Sequence, residues 1–277
     1  MEPGTNPNPN PFDPNRYQPT RARVKKSHWA VILVVLVLLV VGGGWLVVKK
    51  VKGLIGMTNG PVVTGKYGEK RFDTTYAKPL DASIKTAKFT LNGGMCIYTL
   101  NDTTNQLINA KAVLYHSRYA LKGFTVGSMY NMDLSMRSKS KTNLVQQSDS
   151  IGLRLNSAPL WDISVHTGEA SLDFDLTKYK TRNINIVGSA GEFKLKLGQP
   201  QELTTVSFAV GAADITIKIP QTAACRIEKH SAMSSSNFDG FDKKDDGSYE
   251  TKSYSSAKTR ILIKFSGGVS DFKVIKY

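Results

Sequence analysis

A short pattern that recurs through the second half of the chain limits the fold more than any other feature. In each copy, a turn of small residues leads into a strand in which apolar and polar residues alternate. The apolar anchors of three copies, Leu172, Phe193 and Ile215, lie 21 and 22 residues apart. A fixed period in this range is typical of repeat architectures, and strict alternation predicts strands with one buried face. The four copies are 165–176, 187–197, 210–220 and 266–274.

Each period is predicted to contain two strands and two turns, because a second alternating segment lies between the anchored strands. One turn is rich in glycine and alanine, and the other is polar. A single unit cannot bury its own apolar face, but stacked units can share one core, which is the principle of a solenoid. The residues predicted to point inward are Leu172, Phe174, Leu176, Ile184, Ile186, Phe193, Leu195 and Leu197, and those predicted to point outward are Asp173, Asp175, Asn185, Lys194 and Lys196.

The order of these motifs resembles a known bacterial family. The motifs are L-N-x-A-P-L-W-D-I at 155–163, G-A-A-D-x-x-I-x-I-P at 211–220 and G-G-V-S-D-F at 267–272. They are similar to the C-terminal domain of LiaF-type cell-envelope stress proteins, also called cell-wall-active antibiotic response proteins. The resemblance covers roughly 85–277 and implies a mainly β fold, a right-handed toastrack-like β-solenoid. It carries over no catalytic motif, and LiaF has several membrane spans where this chain has one apolar segment.

Segments outside the regular repeat are predicted less uniformly. Residues 85–164 read as further strands with longer polar loops, and 107–115 is either a strand, which we favour, or a short helix. Trp161 is predicted to pack at the edge of a rung rather than to stack on a ligand. Residues 229–257 interrupt the repeat with a long polar excursion.

The N-terminal part of the chain is predicted to hold a membrane anchor. Residues 1–28 are rich in proline and asparagine, which indicates a disordered tail, with a proline-rich ligand as the alternative. Residues 29–48 are apolar and uncharged, long enough for one transmembrane helix. A cleaved signal peptide is the competing interpretation, but the apolar run is long and no A-x-A site follows. Residues 49–84 are predicted to be a juxtamembrane linker, and 85–277 the solenoid domain.

Charges beside the apolar segment predict its orientation. Five basic residues precede it, whereas three follow it at once, and the side with more basic residues stays in the cytoplasm. The sequence therefore predicts a single-pass membrane protein with a cytoplasmic N-terminus and an extracytoplasmic solenoid. The basic residues are Arg16, Arg21, Arg23, Lys25 and Lys26 before the segment, and Lys49, Lys50 and Lys52 after it.

No pattern of catalytic or metal-binding residues is recognised, so the sequence predicts no catalytic, cofactor-binding or metal site. The four histidines show no metal-ligand spacing. Cys96 and Cys225 lie in alternating apolar segments and are predicted to be two buried thiols, with one disulfide as the alternative. Acidic residues at 239–246 hint at a calcium loop, but their spacing does not match one. The histidines are His28, His116, His166 and His230.

The chain has a formal net charge of +15, but its basic residues are spread along it and alternate with acids. This distribution, with a membrane anchor, argues against nucleic acid and suits an anionic cell envelope. The expected partners are the lipid bilayer and other envelope or sensor proteins, and the oligomeric state is left open. We expect a non-catalytic protein for envelope sensing or interaction. The alternatives are a structural or adhesive module and a β-helix glycan-processing enzyme using acids such as Asp173 and Asp175.

Overall fold

The computed structural model describes residues 71–139, 147–198, 201–230, 235–268 and 270–277. The predicted tail at 1–28, the predicted membrane helix at 29–48 and most of the predicted linker at 49–84 lie outside these residues. Over the described ranges the secondary structure is β, with no α-helix. None of these ranges therefore contains a helix that is long and apolar enough to cross a membrane.

Within the described ranges, sixteen strands form one continuous sheet. They are β1 (Phe72–Lys78), β2 (Thr86–Asn92), β3 (Cys96–Thr103), β4 (Ile108–Leu114), β5 (Ser117–Val126), β6 (Met129–Lys139), β7 (Asp149–Leu155), β8 (Leu160–Leu176), β9 (Lys180–Leu197), β10 (Leu203–Ile219), β11 (Cys225–His230), β12 (Ser235–Asn237), β13 (Asp242–Lys243), β14 (Tyr249–Glu250), β15 (Arg260–Gly267) and β16 (Ser270–Lys276).

The sheet folds over because its three longest strands are bent. Only residues 177–179 separate the end of β8 from the start of β9, yet Lys180 pairs in parallel with Leu160 at the start of β8. The chain therefore returns to its starting point within one strand and its short turn. Strands β8, β9 and β10 each form one complete rung with two legs. The first legs lie on one face of the solenoid, here called face 1, and the second legs lie on the other, face 2.

The small-residue turns predicted between two strands are corners within one strand. The parallel pairing of β8 with β9 continues on both sides of Gly168, and that of β9 with β10 continues on both sides of Gly211. The prediction of two separate strands per period was therefore wrong. Small residues let the backbone turn without losing its ladder: Gly191 has φ +147°, and a Cβ there would lie 1.9 Å from the carbonyl oxygen of Ala170.

The core lies between the two faces and is built from residues that stack from rung to rung. On face 2, Leu172, Phe193 and Ile215 occupy the same position in β8, β9 and β10 and are at most 1% exposed. All eight residues predicted to point inward are buried, which confirms the predicted sides of these strands. The same position continues into Tyr98 of β3 and Phe272 of β16.

The order of rungs differs from the order of the chain at both ends. The rung made by β2 and β3 lies between β8 and the rung made by β6 and β7. On face 1, β15 likewise lies between β10 and the earlier strand β11. At the N-terminal end, the chain forms the rung of β2 and β3 first, then the outer rung of β6 and β7, and then returns to the inner side with β8. At the C-terminal end, it passes over the position beside β10, forms β11, and fills the gap later with β15.

The two ends of the solenoid are closed by segments that the sequence predicts to be a linker and a polar excursion. Strand β1 pairs antiparallel with β4, so β structure begins within the range 49–84 that was predicted to be a linker. At the other end, the polar excursion contains an aromatic cap. Phe238 packs edge to face against Tyr249 and Phe272, with ring centroids 4.9 and 5.3 Å apart. A repeat domain needs such end segments, because its last rung otherwise exposes the core.

The strand favoured over a short helix at 107–115 is confirmed, whereas Trp161 lies in the core rather than at the edge of a rung. Strand β4 occupies the segment for which a strand was favoured over a short helix. Trp161 is fully buried, and its indole Nε1 donates a hydrogen bond to the carbonyl oxygen of Asn156 at 2.7 Å. It therefore packs within the first leg of β8 and has no surface for stacking on a ligand.

Candidate interaction surface

Face 2 presents lysine side chains to solvent in neighbouring strands. Strand alternation places Lys194 and Lys196 of β9 outward, and Lys218 of β10 lies directly beside Lys196 in the parallel register. Lys273 of β16 is the neighbour of Thr216, which lies two residues before Lys218 on the same side of β10. We call Lys194, Lys196, Lys218 and Lys273 the lysine strip.

Two members of the lysine strip are neutralised by nearby acids. The Nζ of Lys194 lies 2.8 Å from a carboxylate oxygen of Glu192, and the Nζ of Lys196 lies 3.4 Å from one of Asp175. Lys218 and Lys273 form no ion pair with any residue that the structure describes. The strip therefore has its uncompensated charge on β10 and β16, toward the C-terminal end of the solenoid.

A shallow cleft of about 390 Å³ adjoins this end of the strip. Its wall includes Lys273 on one side and Asn237 and Asp239 of the cap on the other. The ammonium group of Lys276 is held against the cap, because its Nζ donates to the carbonyl oxygen of Gly240 at 3.0 Å and lies 5.3 Å from the ring centre of Phe241. The cleft is open rather than enclosed, which fits a group on an extended ligand better than a small enclosed substrate.

The two acids considered for glycan hydrolysis share the outer side of face 2, as predicted. Asp173 is exposed and pairs in register with Lys194. Partial burial of Asp175 tends to raise its pKa, but hydrogen bonds from Thr177 and the charge of Lys196 outweigh this and lower the pKa overall. A lowered pKa keeps Asp175 ionised at neutral pH, whereas a general acid needs a raised one.

Histidines do not assemble a reactive group over the described ranges. The ring of His166 lies 3.0 Å from the hydroxyl oxygen of Ser164, and Nε2 of His116 lies 2.7 Å from the carbonyl oxygen of Gln147. His230 is exposed at the end of β11, and His28 lies outside the described residues. Across the residues with described side chains, no three His, Cys, Asp or Glu groups are placed to hold a metal ion.

Both cysteines are buried free thiols, as favoured over a disulfide. Cys96 begins β3 and Cys225 begins β11, so they lie toward opposite ends of the solenoid. Burial raises the pKa of both thiols, which keeps them protonated and unreactive at neutral pH. They belong to the core.

One buried carboxylate was missed by sequence reasoning. Asp149 is 1% exposed and accepts hydrogen bonds from the backbone N–H groups of Tyr115 and His116, at 2.5 and 3.0 Å, and from the hydroxyl of Ser117. These donors come from the corner between β4 and β5, so Asp149 fixes that corner. A single acid before an alternating segment gives no signal of this role, because its donors are more than thirty residues away.

The acidic loop considered for calcium stabilises the C-terminal cap through an arginine. Arg226 of β11 lies 2.6 Å from carboxylate oxygens of both Asp246 and Glu250 and 3.2 Å from one of Glu228. Hydrogen bonds from Ser248, together with that from Arg226, lower the pKa of Asp246 to about 2. Of the acids considered for calcium, Asp246 is therefore directed at a guanidinium rather than at a cation site.

These features define a class: a β-solenoid of stacked two-legged rungs with capped ends, in which polar side chains cover the outer faces. A family profile described as the N-terminal domain of toast_rack, DUF2154, matches residues 66–218, and the chain belongs to this family. The match confirms the expectation of a toast-rack domain. No relative was found among functionally curated proteins.

A solved structure shares the fold at low sequence identity. A candidate cell adhesion protein from Clostridium sporogenes is 17% identical, with a TM-score of 0.70, and the match covers 75% of this chain and all of that one. A candidate adhesin from Bacteroides fragilis is 9% identical with a TM-score of 0.29, covering 75% of this chain and 98% of that one. The first similarity supports the toast-rack fold, and the second adds nothing to it.

Proposed function

We propose that this chain is a membrane-anchored, non-catalytic toast-rack module that binds anionic polymers of the cell envelope on the outer side of the membrane. One observation carries the proposal: the lysine strip places two uncompensated ammonium groups, Lys218 and Lys273, beside an open cleft of the surface. Residues 71–277 contain 27 Lys and Arg against 19 Asp and Glu, so the surrounding field also favours an anionic partner.

The geometry suits a linear polyanion rather than a compact ligand. Neighbouring rungs are about 4.8 Å apart in a β-sheet, so lysines on successive rungs form a line along the solenoid. Charge-assisted bonds from such a line add up over several phosphate or carboxylate groups, and each is weakened by salt. We therefore expect binding that is stronger for longer polymers and falls as ionic strength rises.

Reversing the charge of the two uncompensated lysines tests this function. The full-length chain in detergent should retain a polyglycerol phosphate in a sedimentation assay, and Lys218→Glu with Lys273→Glu should lose this binding. The matched control replaces Lys252 and Lys258, two exposed lysines of the C-terminal segment, by Glu. Equal loss in both double variants would show that only net charge matters and would contradict a localised site.

The orientation needs a separate test. A cysteine at the exposed Ser255 should react with a membrane-impermeant maleimide on cells with permeable outer layers, and one at Asn6 should not. The native thiols are buried and should not contribute to labelling. The reverse pattern would place the toast-rack domain in the cytoplasm and remove the envelope polymers as partners.

A structural or adhesive role is the second candidate. It is favoured by the shared fold with the candidate cell adhesion protein of Clostridium sporogenes. In that case, the domain would hold neighbouring surfaces together through contacts distributed over its faces. Cell aggregation that persists in the Lys218→Glu and Lys273→Glu variant would support adhesion over polyanion binding.

A further inference from the structure

Strand β5 forms an edge of the sheet, and only half of it is covered. Its ladder partner is β6, and no second strand pairs with it among the described residues. At its beginning, the backbone N–H of Tyr119 donates to the hydroxyl of Tyr76 at 3.3 Å, and the guanidinium of Arg118 lies 4.4 Å from the ring centre of Phe72. Strand β1 therefore protects the first half and leaves the second half, 120–126, open.

The pairing with β6 determines which backbone groups are open. Val126 and Met129 pair across the two-residue turn of the hairpin, in which Gly127 has φ +59°. The pair that flanks such a turn is hydrogen-bonded, and antiparallel pairs alternate between bonded and non-bonded. The N–H of Tyr119 points away from β6, in agreement with this alternation. The N–H and C=O groups that point away from β6 in the open half belong to Leu121, Gly123 and Thr125.

The open half also exposes apolar side chains on face 1. Phe124 is 53% and Val126 is 62% exposed, and they are the two most exposed large hydrophobic residues in the part of the chain that the structure describes. Natural edge strands are usually protected by charges, proline, bulges or covering segments. Here, Lys122 is the only charged residue between residues 120 and 126. An unprotected apolar edge is suited to strand addition.

We propose that the open half of β5 pairs antiparallel with β5 of a second copy of this chain, about a two-fold axis at Gly123. This register places Lys122 opposite Phe124 of the second copy, so no like charges face each other directly. Leu121 then faces Thr125 of the second copy. The three outward N–H groups and their carbonyls find partners, and face 1 becomes continuous across the dimer.

The central position fits a close approach of two backbones. Gly123 has no side chain, and the space where its Cβ would lie is filled by Tyr130, whose hydroxyl oxygen would be 2.3 Å away. The ring of Tyr130 thus covers the inner side of Gly123 and leaves its edge accessible. This inference is independent of polyanion binding, because the lysine strip lies on face 2 near the opposite end of the solenoid.

A disulfide between the copies tests the register directly. In the proposed dimer, residues 122 and 124 form a non-hydrogen-bonded cross-strand pair, with Cα atoms about 4.5 Å apart, within the range for a disulfide. The full-length Lys122→Cys and Phe124→Cys double variant, oxidised mildly in native membranes, should therefore form a covalent dimer. Val187→Cys, an exposed position on the same face away from the edge, should remain monomeric. Native Cys96 and Cys225 are buried and serve as unreactive background.

A proline at the edge distinguishes strand pairing from chance collision. Added to the double-cysteine variant, Thr125→Pro removes an outward N–H without breaking the ladder to β6, so the covalent dimer should be lost. Thr125→Ala keeps the N–H and should keep the dimer. If the double-cysteine variant forms no covalent dimer, the proposal is wrong. The same result is expected if the chain preceding Arg71 covers this edge. A dimer that survives Thr125→Pro in a chain with unchanged thermal stability would overturn the proposal too.

Discussion

Replacing Phe193 by alanine tests the interior of the solenoid. The ring of Phe193 is 0% exposed and stacks between Leu172 and Ile215 in the adjacent rungs. It also packs on the corner of its own rung, since a Cβ on Gly188 would lie 3.0 Å from the ring. Removing roughly 150 Å² of buried apolar surface, at about 25 cal/mol per Å², costs about 4 kcal/mol. This lies within the about 3–5 kcal/mol measured for buried Phe→Ala changes.

A loss of this size is measurable through a buried tryptophan. For a domain of this length, 1 kcal/mol shifts the melting temperature by about 2–4 °C, so the variant should melt roughly 8–16 °C below the parent. Trp161 is fully buried and reports on the core once Trp29 and Trp45 are replaced by Phe in the full-length chain.

The matched control is the neighbouring residue on the opposite side of the strand. Lys194 is exposed and forms a surface ion pair with Glu192, so Lys194→Ala should cost less than about 0.5 kcal/mol. Similar losses at residues 193 and 194 would refute the assignment of inner and outer sides on which the described core depends.

Three further predictions concern backbone, pH and thiols. Gly191→Ala should destabilise the domain by about 1–3 kcal/mol or more, because its φ is unfavourable for alanine and the new Cβ would clash with the carbonyl of Ala170. In the same melting assay, Gly168→Ala should be close to neutral, because no atom lies within 4 Å of its Cβ position. The bonds that lower the pKa of Asp246 from 3.8 to about 2 stabilise the cap fully above pH 3.8 and are lost as the pH falls through 2. The difference in melting temperature between the parent and Asp246→Asn should therefore shrink from pH 5 to pH 2, and a difference that is constant over this range would contradict the linkage. Cys96 and Cys225 should fail to react with a thiol reagent at neutral pH in the folded chain, and both should react in urea; a fast-reacting thiol in the folded chain would contradict their burial.

The sides of the regular strands could be predicted because a strand has a strict period of two. Once Phe193 is assigned to the core, Lys194 must face water, and the 21- and 22-residue spacing then aligns Leu172 and Ile215 with it. The corner residues were harder to interpret. A small-residue turn and a bend within one strand have the same composition, and only the continuous ladder around Gly168 and Gly211 distinguishes them.

The ends of the solenoid could not be predicted from alternation. A rung presents the same apolar pattern to either neighbour, so its pattern does not say that β2 and β3 lie between β8 and the rung of β6 and β7. Phe238, Phe241 and Tyr249 are scattered through a polar segment without a period, which hid the aromatic cap. Strand β1 was missed because glycines and basic residues dominate the region before it.

Half of the candidate interaction surface follows from the sequence. Alternation alone directs Lys194 and Lys196 outward from β9. Lys218 and Lys273 join them only through the parallel registers of β9, β10 and β16, which bring together residues from three rungs. Their lack of acidic partners among the described residues depends on side-chain positions that no periodicity specifies.

The out-of-order rungs restrict where such a domain can change its length. A unit added before β2 or after β16 would disturb an end of the solenoid, where the rungs do not follow chain order and other segments already cover the last rung. In the described part of the chain, the complete rungs formed by β8, β9 and β10 follow one another in space as they do in sequence. A duplicated 21- or 22-residue segment can be accepted there without moving either cap, so homologues of different size should differ in the number of central rungs.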